Sequence, residues 1–227
     1  MIKDVKEIFF AVVDILREVG KNRSQGKYLH RWLVSLRYKS NSLRYELPWL
    51  TYGSIDWIER HLSKEMKVFE WGSGGSTVFL AKRVKKVVSV EHDPNWHKEV
   101  TDYLQSKGLS KNAQLIYKNP SKIKLSQGKY SSGQAKHKNY SFKEYCMAIS
   151  KYPKEYFDLI LIDGRARVDC MRLAVKKVKK RGWIVLDNAD EDRYWKKLRA
   201  IDSFDRLDFK GIGPFNSHSW LTTVLTR

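Results

Sequence analysis

Glu70-Trp71-Gly72-Ser73-Gly74-Gly75-Ser76 sets a carboxylate two residues ahead of a glycine turn. The turn follows a short apolar run, Val68-Phe69, and precedes a stretch with helical character, Thr77 to Arg83. A strand that ends in glycines and opens a helix brings backbone N–H groups close to a ligand, because no side chain stands in the way. Glu70 would repel a phosphate at such a turn and welcome a positively charged group. Two nucleotide signatures are excluded. A nicotinamide fingerprint needs Gly-x-Gly-x-x-Gly, and its last position here is Thr77; a phosphate loop needs Gly-Lys-Ser/Thr after a longer spacer, which the chain lacks.

Glu91 ends the next hydrophobic run, Lys86 to Glu91, about twenty residues further on. That is the separation at which nucleotide-binding α/β folds place an acid on a ribose diol, since one carboxylate can accept a hydrogen bond from each hydroxyl. Two further strand-like runs end in Asp163-Gly164 and Asp187-Asn188. Adjacent parallel strands would bring these groups together, and two carboxylates with an amide suit a hard divalent ion such as magnesium. The competing reading of the same residues is turn formation and helix capping.

The elements that must position these residues alternate. Strands are expected at Lys67 to Glu70, Lys86 to Glu91, Gln114 to Lys118, Phe157 to Asp163 and Trp183 to Asp187. Helices are expected at Ser54 to Leu62 with Ser54 as N-cap, Thr77 to Arg83, Pro94 to Ser106, Cys170 to Lys179 and near Asp192 to Ile201. Alternation of this kind implies parallel βαβ units with helices on both faces. Arg206 to Lys210 and Trp220 to Thr226 read as strands with no helix between, so they must pair antiparallel. Asn119 to Ser141 is polar and long for a loop, which reads as a lid or an inert insertion, and its place after the third strand favours a lid over the sheet edge.

Residues 1–50 form a basic, aromatic-rich leader of two or three helices, and residues 51–227 the main domain. Val5, Ile8, Phe9, Val12, Ile15, Leu16 and Val19 recur at helical spacing and predict an amphipathic helix packed on that domain. In the leader Tyr28, His30, Arg31, Trp32, Arg37, Tyr38, Arg44, Tyr45 and Trp49 could stack on bases and pair with phosphates. Packed aromatics with snorkelling cations are the commoner outcome.

The formal net charge is +19 over 227 residues, which predicts attraction to polyanions: nucleic acid, anionic lipid surfaces or acidic glycans. No apolar run is long enough to span a bilayer, and the N-terminal run carries no signal-peptide pattern, which leaves peripheral membrane contact open. Cys146 and Cys170 form no metal-type spacing and suit a reducing, cytoplasmic setting.

From about Tyr52 onward the chain resembles the class I S-adenosylmethionine (SAM)-dependent methyltransferases, on the glycine turn, its preceding acid and the acid ending the second strand. The resemblance implies a Rossmann-like α/β fold, a seven-stranded, mostly parallel sheet with an antiparallel last strand. It also implies SAM as cofactor. Glu70, Gly72 and Gly74, within the turn Glu70 to Ser76, would hold the methionine part, Glu91 the ribose, and His92 would lie beside the adenine. Trp71 and Ser73 belong to that turn, and Ser76 stands where many members have their last glycine, able to hydrogen-bond the ligand.

Asp163, Asp187 and Asn188 resemble the metal and catalytic residues of the catechol and caffeoyl-CoA O-methyltransferases. That subgroup carries a lysine where this chain has Arg165-Ala166-Arg167, and arginine is a poor base. Metal coordination, or His137 or His218, would then deal with the proton. The expected function is O-methylation of a small-molecule, sugar or glycolipid hydroxyl. The alternatives are RNA methylation, with the basic leader recruiting the substrate, and a non-catalytic glycan- or lipid-binding module. An Asn/Asp-Pro-Pro-aromatic motif for base N-methylation is missing after Asp163.

Overall fold

The computed structural model describes residues 5–38, 41–123, 128–190, 192–195 and 203–227. Seven strands make one sheet: β1 (Lys67–Trp71), β2 (Lys86–Glu91), β3 (Ala113–Tyr117), β4 (Phe157–Ile162), β5 (Val178–Asp187), β6 (Asp205–Gly211) and β7 (Trp220–Thr226). Their order is β3-β2-β1-β4-β5-β7-β6. β1 to β5 run parallel, and β7 is antiparallel to both β5 and β6, as a strand pair joined without a helix requires. The order reverses between β1 and β4, so the strand ends there open a crevice, the usual ligand position of open α/β sheets.

Alternation along the strands builds a core on each face. Val68, Leu159, Leu161, Val185 and Val224 point to one side; Phe69, Trp71, Ile160, Ile162, Ile184 and Leu186 point to the other. The leader completes the first core. Its helices are α1 (Val5–Lys21), α2 (Leu29–Leu36) and α3 (Ser42–Tyr45), with a 3-10 segment Arg23–Tyr28 between the first two. Ala11, Ile15, Tyr28, Trp32 and Leu43 are buried in the same cluster as the sheet residues. Trp32 Nε1 donates to Asn216 O at 2.7 Å, and Ser35 Oγ accepts from Phe215 N at 3.1 Å.

The leader's aromatics serve packing. Tyr28 stacks on Tyr52 with the Arg31 guanidinium over the Tyr52 ring, and Tyr45 and Trp49 both meet Phe215 edge-on. The amphipathic α1 is present, but it seats through Ala11 and Ile15, while Ile8, Phe9 and Leu16 stay exposed.

The remaining helices are α4 (Tyr52–His61), α5 (Gly75–Ala81), α6 (Pro94–Ser106), α7 (Lys143–Met147), α8 (Arg167–Ala174) and α9 (Asp192–Trp195). α6 spans the expected residues: Asp93 caps it by accepting from Asn95 N and Trp96 N, and Pro94 takes the first turn. Three expectations shift. α4 begins at Tyr52 after Thr51, and Ser54 lies inside it with its hydroxyl bonded to Thr51 O at 2.7 Å. α8 runs from Arg167 to Ala174, three residues earlier than expected at its start, because Ala166 adopts a left-handed turn (φ 49°) that launches it. β5 starts at Val178 rather than Trp183, since Lys177 O accepts from Tyr156 N and Phe157 N and Val178 then pairs with Phe157. Pairing with β4 overrides the helical tendency of the lysine-rich run. Of the helix expected near Asp192 to Ile201, the part after Trp195 lies outside the described residues.

Candidate active site

β1 delivers the chain to Gly72, whose φ of +97° few side chains tolerate, and whose Cα faces the Gly164 and Asp163 backbone beyond β4. Gly75 meets a different constraint. A Cβ there would lie 2.1 Å from Ser42 O and 2.4 Å from Leu47 O, so α3 of the leader rests directly on the turn.

Glu70 has no accessible surface. Its Oε2 accepts from Thr77 Oγ1 at 2.6 Å, Thr77 Oγ1 accepts from Gly74 N at 3.0 Å, and Glu70 Oε1 has no partner. Burial pushes its pKa up to about 7, against the nearby Ser76, Thr77 and Ser89 hydroxyls that favour the charge. In this arrangement Glu70 stands behind the turn, fully enclosed. Trp71 is likewise wholly buried on the opposite face, donating from Nε1 to Tyr145 O at 3.0 Å. Ser76 is buried at the start of α5.

Glu91 is also buried but fully bonded. Its Oε2 accepts from Ser73 N at 3.1 Å and Ser73 Oγ at 3.2 Å; its Oε1 accepts from His92 N at 2.7 Å and Asp93 N at 2.9 Å. Burial opposes its charge, but bonds from His92 and Asp93 outweigh that and hold the pKa below the usual value. Two acids at neighbouring strand ends are thus driven in opposite directions. Trp96 Nε1 donates to Ser73 O at 2.7 Å and ties α6 to the turn.

The described parts of the stretch from Asn119 to Ser141, residues 119–123 and 128–141, fold back over this edge. Ser121–Lys122 pairs antiparallel with Tyr140–Ser141, and Tyr130 N donates to Asp169 Oδ2 at 2.6 Å, docking the loop on α8. His137 and Phe142 meet the His92 ring with centroids 5.4 and 5.5 Å away, so the expected lid roofs the end of β2. Beneath it, His137 Nε2, Tyr145 OH and Arg165 Nε are buried without a hydrogen-bond partner. Each such atom needs a structural or functional reason. Burial lowers the His137 pKa, helped by the charges of His92 and Arg165. His218 sits elsewhere: it packs near Trp220 and lines a surface cleft with Asp14, Arg17 and Glu18 of α1. Tyr145 carried no sequence signal, and Arg165 was marked only as part of the Arg165-Ala166-Arg167 run.

Asp163, Asp187 and Asn188 do converge, but around the guanidinium of Arg167. Arg167 Nη2 donates to Asp163 Oδ1 at 3.1 Å and Asp163 O at 3.2 Å. Its Nη1 reaches Asn188 Oδ1 at 2.9 Å and Asp187 O, and its Nε reaches Gly164 O at 3.1 Å. Asp187 Oδ1 is committed to Trp220 Nε1 at 2.9 Å and Thr222 Oγ1 at 2.7 Å. Burial raises the pKa of both Asp163 and Asp187, and the Arg167 charge counters it in each. A divalent ion needs these same oxygens free and close together, so the donor set as folded does not fit one. Among the described residues no group of three His, Cys, Asp or Glu side chains is placed to hold a metal ion.

The strand order, the reversed β7 and the glycine turn beside the crossover define the fold of the class I SAM-dependent methyltransferases. No protein-family model and no curated protein sequence matches the chain. Solved structures do. A candidate O-methyltransferase from Klebsiella pneumoniae is similar with a TM-score of 0.60 at 15% identity, covering 92% of this chain and 98% of its own. An rRNA methylase from Streptococcus thermophilus gives 0.54 at 16% identity, over 77% of this chain and 95% of its own. A candidate methyltransferase from Streptococcus mutans in complex with SAH, the demethylated form of SAM, gives 0.52 at 14%, over 76% and 94%. At such identities the likeness is one of fold. No described helix is long and apolar enough to cross a membrane.

Proposed function

We propose that the protein transfers a methyl group from SAM to a hydroxyl oxygen of a small molecule, a sugar or a glycolipid. The observation that carries this reading is Glu91. It is a carboxylate with a depressed pKa at the end of β2, and it already grips Ser73 of the glycine turn through one oxygen. A ribose diol can replace the Ser73 bonds at that oxygen without disturbing the two backbone bonds at the other. The neighbour bound to SAH shows that this fold carries the demethylated form of the same ligand.

When bound, SAM supplies a sulfonium methyl group open to in-line displacement. The chain's own residues position and shield the reaction. The glycine turn admits the methionine portion, and the buried charge of Glu70 offsets the positive charge of the ligand across the turn. His92, under His137 and Phe142, forms a wall for the adenine. On the acceptor side Asp163 is the less enclosed carboxylate, its side chain 23% accessible against 5% for Asp187. It is the group that can receive the hydroxyl proton as the oxygen attacks. The roofed crevice, with its orphaned Tyr145 and Arg165 atoms, favours an acceptor small enough to enter beneath the loop.

The net charge of +19 favours a second reading, RNA as acceptor. Turnover of SAM to SAH against pooled sugars, catechols and RNA, with and without EDTA, separates the two. Failure of the pure protein to bind SAM would remove both and favour a binding module on this scaffold.

A further inference from the structure

We propose that Arg167 supplies, as a tethered side chain, the cation of the acceptor edge, so that this edge neither needs nor binds a divalent metal ion. The inference deepens the methyl-transfer reading, on which the term acceptor edge rests, but its physical content is independent of SAM. A guanidinium has five N–H bonds in one plane. Here five oxygens meet them: Gly164 O, Asp163 O, Asp163 Oδ1, Asp187 O and Asn188 Oδ1. These oxygens come from both strand ends, β4 and β5, the ends a bridging ion would join.

The backbone is shaped for this arrangement. Ala166 at φ 49° turns the chain so that Arg167 opens α8 and points back beneath the strand ends, and Asn188 at φ 50° brings its amide to the same guanidinium. The left-handed conformation is uncommon for alanine and readily taken by asparagine, so Ala166 is the position that the surroundings must hold. The side chain of Arg167 is 11% accessible, too enclosed for a solvated surface cation. Arginine keeps its proton at any ordinary pH, so the charge it supplies is constant.

Arg167 pairs with Asp163 and lies 3.9 Å from Asp187 Oδ2. The fixed positive charge favours the ionised form of both carboxylates, against the burial that raises their pKa. Arg167 is therefore a positioning residue: it holds Asp163 and Asn188 in place and excludes a metal by occupying its seat.

The test is titration with Mn2+, followed by loss of the free-ion electron paramagnetic resonance signal. Wild-type protein should bind none at this edge. Arg167→Ala frees the oxygens and should bind one ion per chain, and Asp163→Asn added to it should abolish that binding. If Arg167→Ala does not fold, Arg167→Gln removes the charge in a similar volume and carries the same expectation. Arg167→Lys keeps a cation and should still exclude Mn2+. Binding of Mn2+ by wild type that Asp163→Asn removes would overturn the proposal, as would a folded, neutral Arg167 variant that binds none. SAM binding is measured on the same samples. Its absence beside the expected Mn2+ results would remove the methyl-transfer reading and leave the Arg167 assignment standing.

Discussion

Glu70→Gln isolates the energetic consequence of burying an acid behind the glycine turn. The ordinary carboxyl pKa of 4.5 rises to about 7 in the folded chain, chiefly through burial. Between those values the native state holds a proton that the unfolded chain has released. Wild-type stability therefore falls as pH rises through this window. At about 1.4 kcal/mol per unit, Glu70 should cost wild type about 2 to 3 kcal/mol between about pH 5 and about pH 8. Glutamine keeps an acceptor for Thr77 Oγ1 and cannot ionise. The stability of the variant relative to wild type should accordingly grow by that amount across the range. For a chain of this size the shift is about 5 to 10 °C in Tm. Thermal unfolding followed by circular dichroism across the pH series measures it. SAM, as a cation, should also favour the ionised form, so that wild type releases a proton on binding near neutral pH and the variant does not. Calorimetry in buffers of different ionisation enthalpy reads that proton. Parallel stability profiles for the two proteins would refute the assignment of a raised pKa to Glu70.

Other perturbations follow from the same geometry. Glu91→Ala removes the two oxygens bonded to Ser73 and to the His92 and Asp93 backbone, and SAM affinity should drop by about 100-fold, equivalent to about 3 kcal/mol of charge-assisted bonding. Unchanged calorimetric affinity would remove the ribose assignment. Gly75→Ala drives a Cβ into the Ser42 and Leu47 carbonyls and should destabilise the fold by about 1 to 3 kcal/mol, visible as a lower denaturant midpoint with unchanged slope. Trp96→Phe keeps an aromatic ring, though a smaller one, but loses the bond to Ser73 O, and should weaken SAM binding by about 1 kcal/mol. If RNA is the acceptor, binding should weaken steeply with salt in a filter assay; a salt-insensitive or absent interaction removes that reading.

Much of the fold was legible because its signals are local. Short hydrophobic runs marked the parallel strands, and Pro94 marked the start of α6 to the residue. The helix-free link between the last two strands dictated the antiparallel β7. The less legible boundaries depend on distant partners. β5 begins at Val178 because Tyr156 and Phe157 capture the Lys177 carbonyl and Phe157 pairs with Val178, and the exposed Phe9 and Leu16 show that helical spacing alone does not select the buried face.

By itself the sequence determined the types and order of the chemistry: an acid before a glycine turn, a second acid one strand later, and Asp163 and Asp187-Asn188 at two further strand ends. Covalent order and hydrophobic period suffice for that, since each is a property of a few neighbouring residues. Only the tertiary structure decided how those groups are spent. It buried Glu70 behind the turn, bonded Glu91 to Ser73, and set α3 of the leader against Gly75. It also turned Arg167, through the left-handed Ala166, into the centre of the Asp163, Asp187 and Asn188 oxygens. Desolvation and hydrogen-bond geometry set the charge and reach of each group, and both arise from residues far apart in the chain.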